Sequence, residues 1–147
     1  MDLVIRPARL ADGDALHRNC FPHQSAQDVH DYLAWCLRQA DKGWIARMVA
    51  EVGGEAVGNV QLTLWGDEGE VGSLIVAGQY RRHGVARQLL SAVIAKARRR
   101  ALAVLWIDVA ANRPEIAAFY RHVGFTKERG LSPRSSRQPW VRLCMVP

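Results

Sequence analysis

Cysteine is scarce: Cys20, Cys36 and Cys144 are the only three in 147 residues, an odd number with no C-x-x-C pair. That count excludes a disulfide framework and fits a reducing compartment, where each reads as a small core residue. Histidine is sparse too, and His17, His23 and His30 lack the close spacing of a zinc site, so no metal is expected. No apolar run reaches the ~18–20 residues that span a bilayer. The opening Met1-Asp2-Leu3-Val4-Ile5-Arg6 has neither the basic start nor the apolar stretch of a secretory signal. A cytoplasmic protein without a membrane partner is the expectation. Internal repeats and low-complexity tails are absent as well, which excludes solenoids and disordered tails.

What is present is a chain of 16.4 kDa, 49% hydrophobic and with apolar and polar segments interleaved. It suits a single domain over residues 1–147, with enough apolar side chains for a core without staples. The formal net charge of +6 is concentrated in Arg81-Arg82, Lys96 to Arg100 and Arg129 to Arg142. Such a balance can serve a phosphorylated ligand, nucleic acid or anionic lipid. The run Arg98-Arg99-Arg100 falls late in a predicted helix, where cations oppose the negative end of the helix dipole.

Hydrophobic period gives the order of elements. Leu3 to Arg6 reads as a strand closed by Pro7, and Asp12 to Cys20 as a short helix ended near Pro22. Ser25 is an N-cap for a helix whose Val29, Tyr32, Leu33, Cys36, Leu37 and Ala40 form one apolar stripe ending at Gly43. Trp44–Glu51 and Ala56–Trp65 read as strands around the hairpin signal Gly53-Gly54. Glu70–Val76 is a third strand, on which regular alternation would set Glu70, Gly72, Leu74 and Val76 on one face. Gly84 to Arg100 is a helix with Val85, Leu89, Leu90, Val93, Ile94 and Ala97 inward. Val104–Val109 is a central strand, and Pro114–His122 a helix with proline at its first position. Strands from Phe125 and over Trp140–Met145 follow, separated by a loop. The order describes a mixed α/β or α+β protein with one sheet, and the strand–helix–strand unit around Gly84 implies a parallel crossover.

The most informative segment runs from Ser73 to Leu90. A strand ends, a turn follows, and a helix opens at Gly84 among Arg81, Arg82, His83 and Arg87. The first N–H groups of a helix lack internal partners and carry partial positive charge. Gly84 and Ala86 let an anion approach the backbone closely, so the turn suits a phosphate or pyrophosphate. The spacing is neither a P-loop nor G-x-G-x-x-G.

Arg81-x-x-Gly84-x-Ala86, preceded by Leu74-Ile75-Val76 and followed by Leu89-Leu90, resembles the acetyl-CoA signature of the GCN5-related N-acetyltransferase superfamily. Ile107 to Phe125, with Asn112 and Tyr120-x-x-x-Gly124-Phe125, resembles the element that follows it there, and Val4-Ile5-Arg6-Pro7-Ala8 resembles the usual start. Gly78 departs from the pattern, since many relatives have proline there.

The resemblance covers nearly the whole chain. It implies a central, mostly antiparallel twisted sheet of about six to seven strands, with a parallel pair at the coenzyme site and about four flanking helices. It implies acetyl-CoA as co-substrate, with Leu74, Ile75 and Val76 along pantetheine and Arg81, Arg82, His83, Gly84, Val85, Ala86 and Arg87 around the pyrophosphate. By the same resemblance Asn112 contacts the coenzyme arm and Tyr120 protonates the departing thiolate.

An ammonium must lose a proton before it can attack a thioester. Asp67, Glu68 and Glu70 are the candidate bases. Glu70 is best placed, fourteen residues before Gly84, the spacing at which the histone-acetylating branch carries its base. In this family the acceptor site forms from the first two helices, the loop near Trp65 and the last strands. Here those supply Phe21, His23, Tyr32, Trp35, Trp65, Trp140 and the arginines near 134 to 142, which would favour a carboxylate or phosphate on the acceptor. Other readings stay open: a non-catalytic acyl-CoA-binding module, a longer acyl donor, or, less favoured, an arginine-driven nucleic-acid binder. Dimers are common in the family, so a homodimer is among the expectations.

Overall fold

The computed structural model describes residues 1–133 and 137–147. The strands are β1 (Leu3–Pro7), β2 (Ile45–Val52), β3 (Glu55–Trp65), β4 (Glu68–Val76), β5 (Val104–Ala110), β6 (Lys127–Leu131) and β7 (Trp140–Met145). The helices are α1 (Gly13–Asn19), α2 (Ala26–Asp41), α3 (Val85–Arg99) and α4 (Pro114–His122). All seven strands join one sheet in the order β1-β2-β3-β4-β5-β7-β6, and β4–β5 is its parallel pair. The mixed fold and the parallel crossover expected from the sequence are both present. Among the described residues no helix is long and apolar enough to cross a membrane.

Local chemistry accounts for the elements. The Ser25 hydroxyl accepts the Asp28 N–H at 3.0 Å, an N-cap that starts α2. Gly53 and Gly54 have φ of +60° and +82°, which favours glycine and closes the β2–β3 hairpin. In α3 the six residues expected inward are all buried. At roughly 1.5–3 kcal/mol for each large aliphatic side chain, this stripe dominates the attachment of α3 to the sheet. Leu16, Val29 and Leu33 pack with Val49 and Ala56 on one face, beneath α1 and α2. The larger core lies on the other face, under α3 and α4, and includes Leu62, Val71, Leu89, Leu105, Tyr120 and Phe125.

The structure departs from regular alternation in β4. Gly72 pairs with Gln61 but Ile75 pairs with Asn59, so two β4 residues oppose Val60. Ser73 takes up the extra length at φ +52°, unusual for a residue with a side chain. Leu74 and Val76 consequently join Val71 on the α3 face, while Ile75 packs on the α2 face. Glu70 and Gly72 therefore do not share a face with Leu74 and Val76: the bulge inverts the alternation between them.

Candidate active site

β4 and β5 pair only over Glu68–Glu70 and Val104–Trp106. Beyond that point β4 stays with β3 as far as Val76, and β5 stays with β7 as far as Ala110. The strands diverge, so among the described residues β4 has no strand partner on its β5 side from Val71 onward. A cavity of about 360 Å³ fills the gap, walled by Val71 to Leu74 of β4, Ile107 to Ala110 of β5, and Tyr120 of α4.

At the far end of β4 the chain makes a 3₁₀ turn over Gly78–Tyr80 and enters α3 through two residues of positive φ, Arg82 (+64°) and Gly84 (+77°). The first helical bond there is Gln88 N–H to the Gly84 carbonyl at 3.0 Å. The N–H groups of Val85, Ala86 and Arg87 precede it and lack helical acceptors. Arg81 folds back, its Nε donating to the Val76 carbonyl at 3.2 Å, which ties the turn to the strand end. A cleft of about 440 Å³ opens here, lined by Val76, Arg81, Arg82, Gly84 to Arg87, Tyr80 and Phe119. Its lining includes arginines and no carboxylate, so backbone and side chains give it one sign of charge.

Tyr120 is buried, its ring edge-on to Phe119 at 5.2 Å and to Phe125 at 5.9 Å. Burial pushes its phenol up to about 12. The hydroxyl bonds to no described residue, and the side chain lines the cavity between β4 and β5.

Glu70 points the other way, toward α2, into a cavity of about 330 Å³ that also includes Tyr32, Trp35, Gln61 and Trp65. Its Oε1 accepts from Trp65 Nε1 at 3.2 Å. Glu70 and Tyr120 thus lie on opposite sides of β4, and Gly72 and Ser73 line both of their cavities. A Cβ built on Gly72 would meet nothing within 4 Å, so the strand is bare where the two cavities face each other.

Ser73 is held from behind. Asn59, fully buried, donates from Nδ2 to the Ser73 carbonyl at 2.9 Å and accepts from Arg47 Nε at 2.8 Å. Arg47 also reaches the Cys36 Sγ at 3.6 Å and lies over the rings of Phe21 and Tyr32. Arg142 stacks 3.6 Å over Trp106, and its Nε donates to Asp108 at 2.9 Å. The hydrogen bond to Asp108 raises its pKa, with nearby Glu70 and Glu68 adding to the effect. Among the described residues, no three His, Cys, Asp or Glu side chains gather into a metal-binding group.

A family model, the acetyltransferase (GNAT) family, matches residues 11–125. The chain belongs to that family. Among curated proteins, the [ribosomal protein bS18]-alanine N-acetyltransferase of Escherichia coli is 30% identical over 96 residues, 57% of this chain and 65% of that protein. The match therefore spans a little under two thirds of that relative's length. Among solved structures, the ribosomal-protein-alanine N-acetyltransferase of Brucella melitensis superposes at a TM-score of 0.80 with 22% identity, covering 98% of this chain and 99% of that one. PaiA N-acetyltransferase of Thermoplasma acidophilum, solved in complex with coenzyme A, gives 0.75 at 13% identity over 100% of both chains. At such identities the structures speak for the shared GNAT fold.

Within this GNAT chain, Val76, Arg81, Arg82, Gly84, Val85, Ala86 and Arg87 line one cleft, and Leu74 and Tyr120 line the cavity beside it. Ile75 turns to the opposite face and packs under α1 and α2. His83 and Asn112 are exposed and line neither space, whereas Arg113, next to Asn112, does line the β4–β5 cavity. On the acceptor side Phe21 and Tyr32 meet at Arg47, while Arg142 is engaged by Asp108. Arg134 lies outside the described residues. Arg47 and Asn59 are not among the site residues expected from the sequence, and Ser73 is expected there only as the start of the coenzyme segment. Asn59 and Arg47 in adjacent apolar strands, one polar and one charged residue among alternating Val, Leu and Ala, were the available signal.

Proposed function

We propose that this chain transfers an acetyl group from acetyl-CoA to a primary amine of a small molecule or peptide, by direct attack. One observation carries this reading: the unpaired β5 side of β4 opens at Val71 and runs along the strand to the cationic opening of α3 beyond Val76. An extended acyl-thioester tail and a pyrophosphate require that pair of features at strand-length separation. Acetyl-CoA supplies an activated acyl carbonyl and a thiolate leaving group when bound. Backbone N–H groups at Val85 to Arg87, with Arg81 and Arg82, would hold its phosphates. Free backbone groups of Leu74 to Val76 would pair with the pantetheine arm. His83 and Asn112 would serve only from the rim.

The chemistry needs little from the protein beyond position and two protons. The ammonium gives up one proton to Glu70, directly or through water; the freed nitrogen bonds to the acyl carbon as the C–S bond breaks, and its second proton passes through water to restore Tyr120. A β4 N–H at the bulge polarises the carbonyl oxygen. The thiolate takes a proton from Tyr120, whose phenol near 12 keeps that proton available at neutral pH. Glu70 and Tyr120 on opposite sides of Gly72-Ser73 suit removal of one proton and delivery of the other across a single reacting centre. One sheet running from Leu3 to Met145 supports a single catalytic domain over 1–147. The relatives' action on a ribosomal-protein alanine keeps a peptide N-terminus among the candidate acceptors.

The test is titration with acetyl-CoA by calorimetry, followed by thiol release over an amine panel. Saturable 1:1 binding that Gly84→Glu weakens at least tenfold supports the reading. A Cβ at Gly84 meets nothing within 4 Å, but its φ of +77° strains any side chain, so Gly84→Ala is the control that separates backbone strain from added charge. Absence of binding at millimolar acetyl-CoA overturns the reading. Binding without turnover on any amine would instead identify a non-catalytic acyl-CoA module.

A further inference from the structure

Among the described residues three arginines point inward, and two of them meet carboxylates. Arg6 pairs with Asp12 at 2.7 Å and Glu51 at 2.8 Å, and Arg142 pairs with Asp108 at 2.9 Å. Arg47 is only 6% exposed, yet each of its described partners is neutral: the Asn59 amide oxygen, the Cys36 sulfur and the faces of Phe21 and Tyr32. A buried cation without an anion is among the least favourable arrangements in a protein interior, and aromatic faces offset only part of its lost hydration. A methionine or leucine would fill the space under α2 more stably. What remains open to Arg47 is a cavity of about 370 Å³ that it lines with Phe21, Val29, Tyr32, Asp28 and Ser73.

We infer that Arg47 is the anchor for a carboxylate on the acceptor, and that the acceptor is a short amino carboxylate: an α- or β-amino acid with an apolar side chain. The inference rests on the transferase reading above and names its substrate class. Asn59 fixes the geometry. It holds the Arg47 Nε with one end of its amide and the Ser73 carbonyl with the other, so a single side chain separates the guanidinium from the bulge. A carboxylate forked on the remaining guanidinium N–H groups lies beside that bulge, and an amine one or two carbons away falls over Ser73. Asp28 on the same cavity complements the ammonium of an arriving zwitterion. Phe21, Val29 and Tyr32 offer the apolar wall for the side chain. A polyamine carries no group that Arg47 would attract, and a peptide N-terminus replaces the needed carboxylate with an amide.

The experiment pairs each acid with its amide on the wild-type protein. L-Phenylalanine and L-methionine are compared with their carboxamides and with spermidine by thiol release. N-Acetyl-L-phenylalanine and its amide are titrated by calorimetry as turnover-independent probes. The expected result is at least a tenfold preference in kcat/KM for the acids, and binding of the acid probe alone. In Arg47→Lys and Arg47→Met that preference falls toward unity through KM, while acetyl-CoA affinity is kept. Equal or better use of the amides or of spermidine overturns the assignment, as does a preference that survives in both variants. Loss of acetyl-CoA binding by the wild type overturns the transferase reading instead. If both variants misfold, the wild-type acid-to-amide ratio and the probe titration decide by themselves.

Discussion

Tyr120 shows how far one side chain's environment defines its chemistry. Wrapped by Phe119 and Phe125, its phenol is shifted up to about 12, so it stays protonated over the whole neutral range. Tyr120→Phe is expected to lower kcat about 10- to 100-fold, with acetyl-CoA affinity changed less than twofold. Equal effects on both would make it a binding residue. The same shift carries a stability signature. A pKa raised on folding means the native state holds its proton more tightly than the unfolded chain, whose phenol titrates near 10. That stabilisation is complete below pH ~10 and is lost as pH rises toward 12, to about 2–3 kcal/mol. Burial of Cys20, whose thiol is pushed up to about 11, adds to the decline from a lower starting pH. Melting curves from pH 8 to 12 should therefore fall less steeply for Tyr120→Phe than for the wild type.

At the scale of elements, β4 is the component on which both cavities depend. A non-glycine residue at φ +52° costs on the order of 1–2 kcal/mol, and the Asn59 hydrogen bond to the Ser73 carbonyl holds it there. Asn59→Leu is expected to destabilise by about 2–4 kcal/mol, because it strands Arg47 and the Ser73 carbonyl together in a buried place. Asn59→Asp keeps the acceptor toward Arg47 but loses the donor to Ser73, so it should fold and yet lower kcat more than it raises the acetyl-CoA Kd. A variant that folds and retains full kcat would remove the bulge from the mechanism. Gly69 lies in the same strand, where an added Cβ would come within 2.8 Å of Leu62 Cδ1 and 2.9 Å of both Leu102 Cδ1 and Leu105 Cδ2. Gly69→Ala should cost about 1–3 kcal/mol through overpacking where β4 meets β5, read as a drop in denaturant midpoint with unchanged slope.

For the whole molecule, the Arg6 cluster ties the edge strand to the chain entering α1. Arg6 bridges Asp12 and Glu51, and Asp12 also accepts the Arg9 N–H at 2.7 Å. Burial by itself would raise the Asp12 carboxyl, but the hydrogen bonds from Arg6 and the Arg9 N–H bring it below the usual carboxylate range. Its contribution is therefore present above pH ~4 and lost as pH falls further, through the depressed native value. Asp12→Asn is expected to lower stability by about 2–3 kcal/mol at pH 7 and to show a flatter loss between pH 4 and 2. Comparison of urea midpoints at pH 7 and pH 3 checks both parts.

Features held by neighbours along the chain were legible from residue types. The α3 stripe, the Gly53-Gly54 hairpin, the Ser25 cap and the turn opening at Gly84 each depend on contacts within a few residues, so period and turn chemistry suffice to read them. Motif order carried the family resemblance, and the resemblance implied a sheet of about six to seven strands with a parallel pair. Boundaries shifted where distant pairing decided them. β4 begins at Glu68, two residues before the expected start, because Glu68 pairs with Trp65 and Val104. The last strands begin at Lys127 because Phe125 is fully buried as the anchor after α4. The Ser73 bulge could not be read, since the Asn59 that holds it is fourteen residues away on another strand. The Arg47 cavity was hidden for the same reason: its partners come from α2, β2 and β3. The sequence by itself determined the elements and the turn that opens α3 at Gly84, whose energetics are local. Which face Glu70 takes, and which buried arginine meets only neutral groups among the described residues, were decided only when strand register and helix packing brought distant polar groups together in a low-dielectric interior.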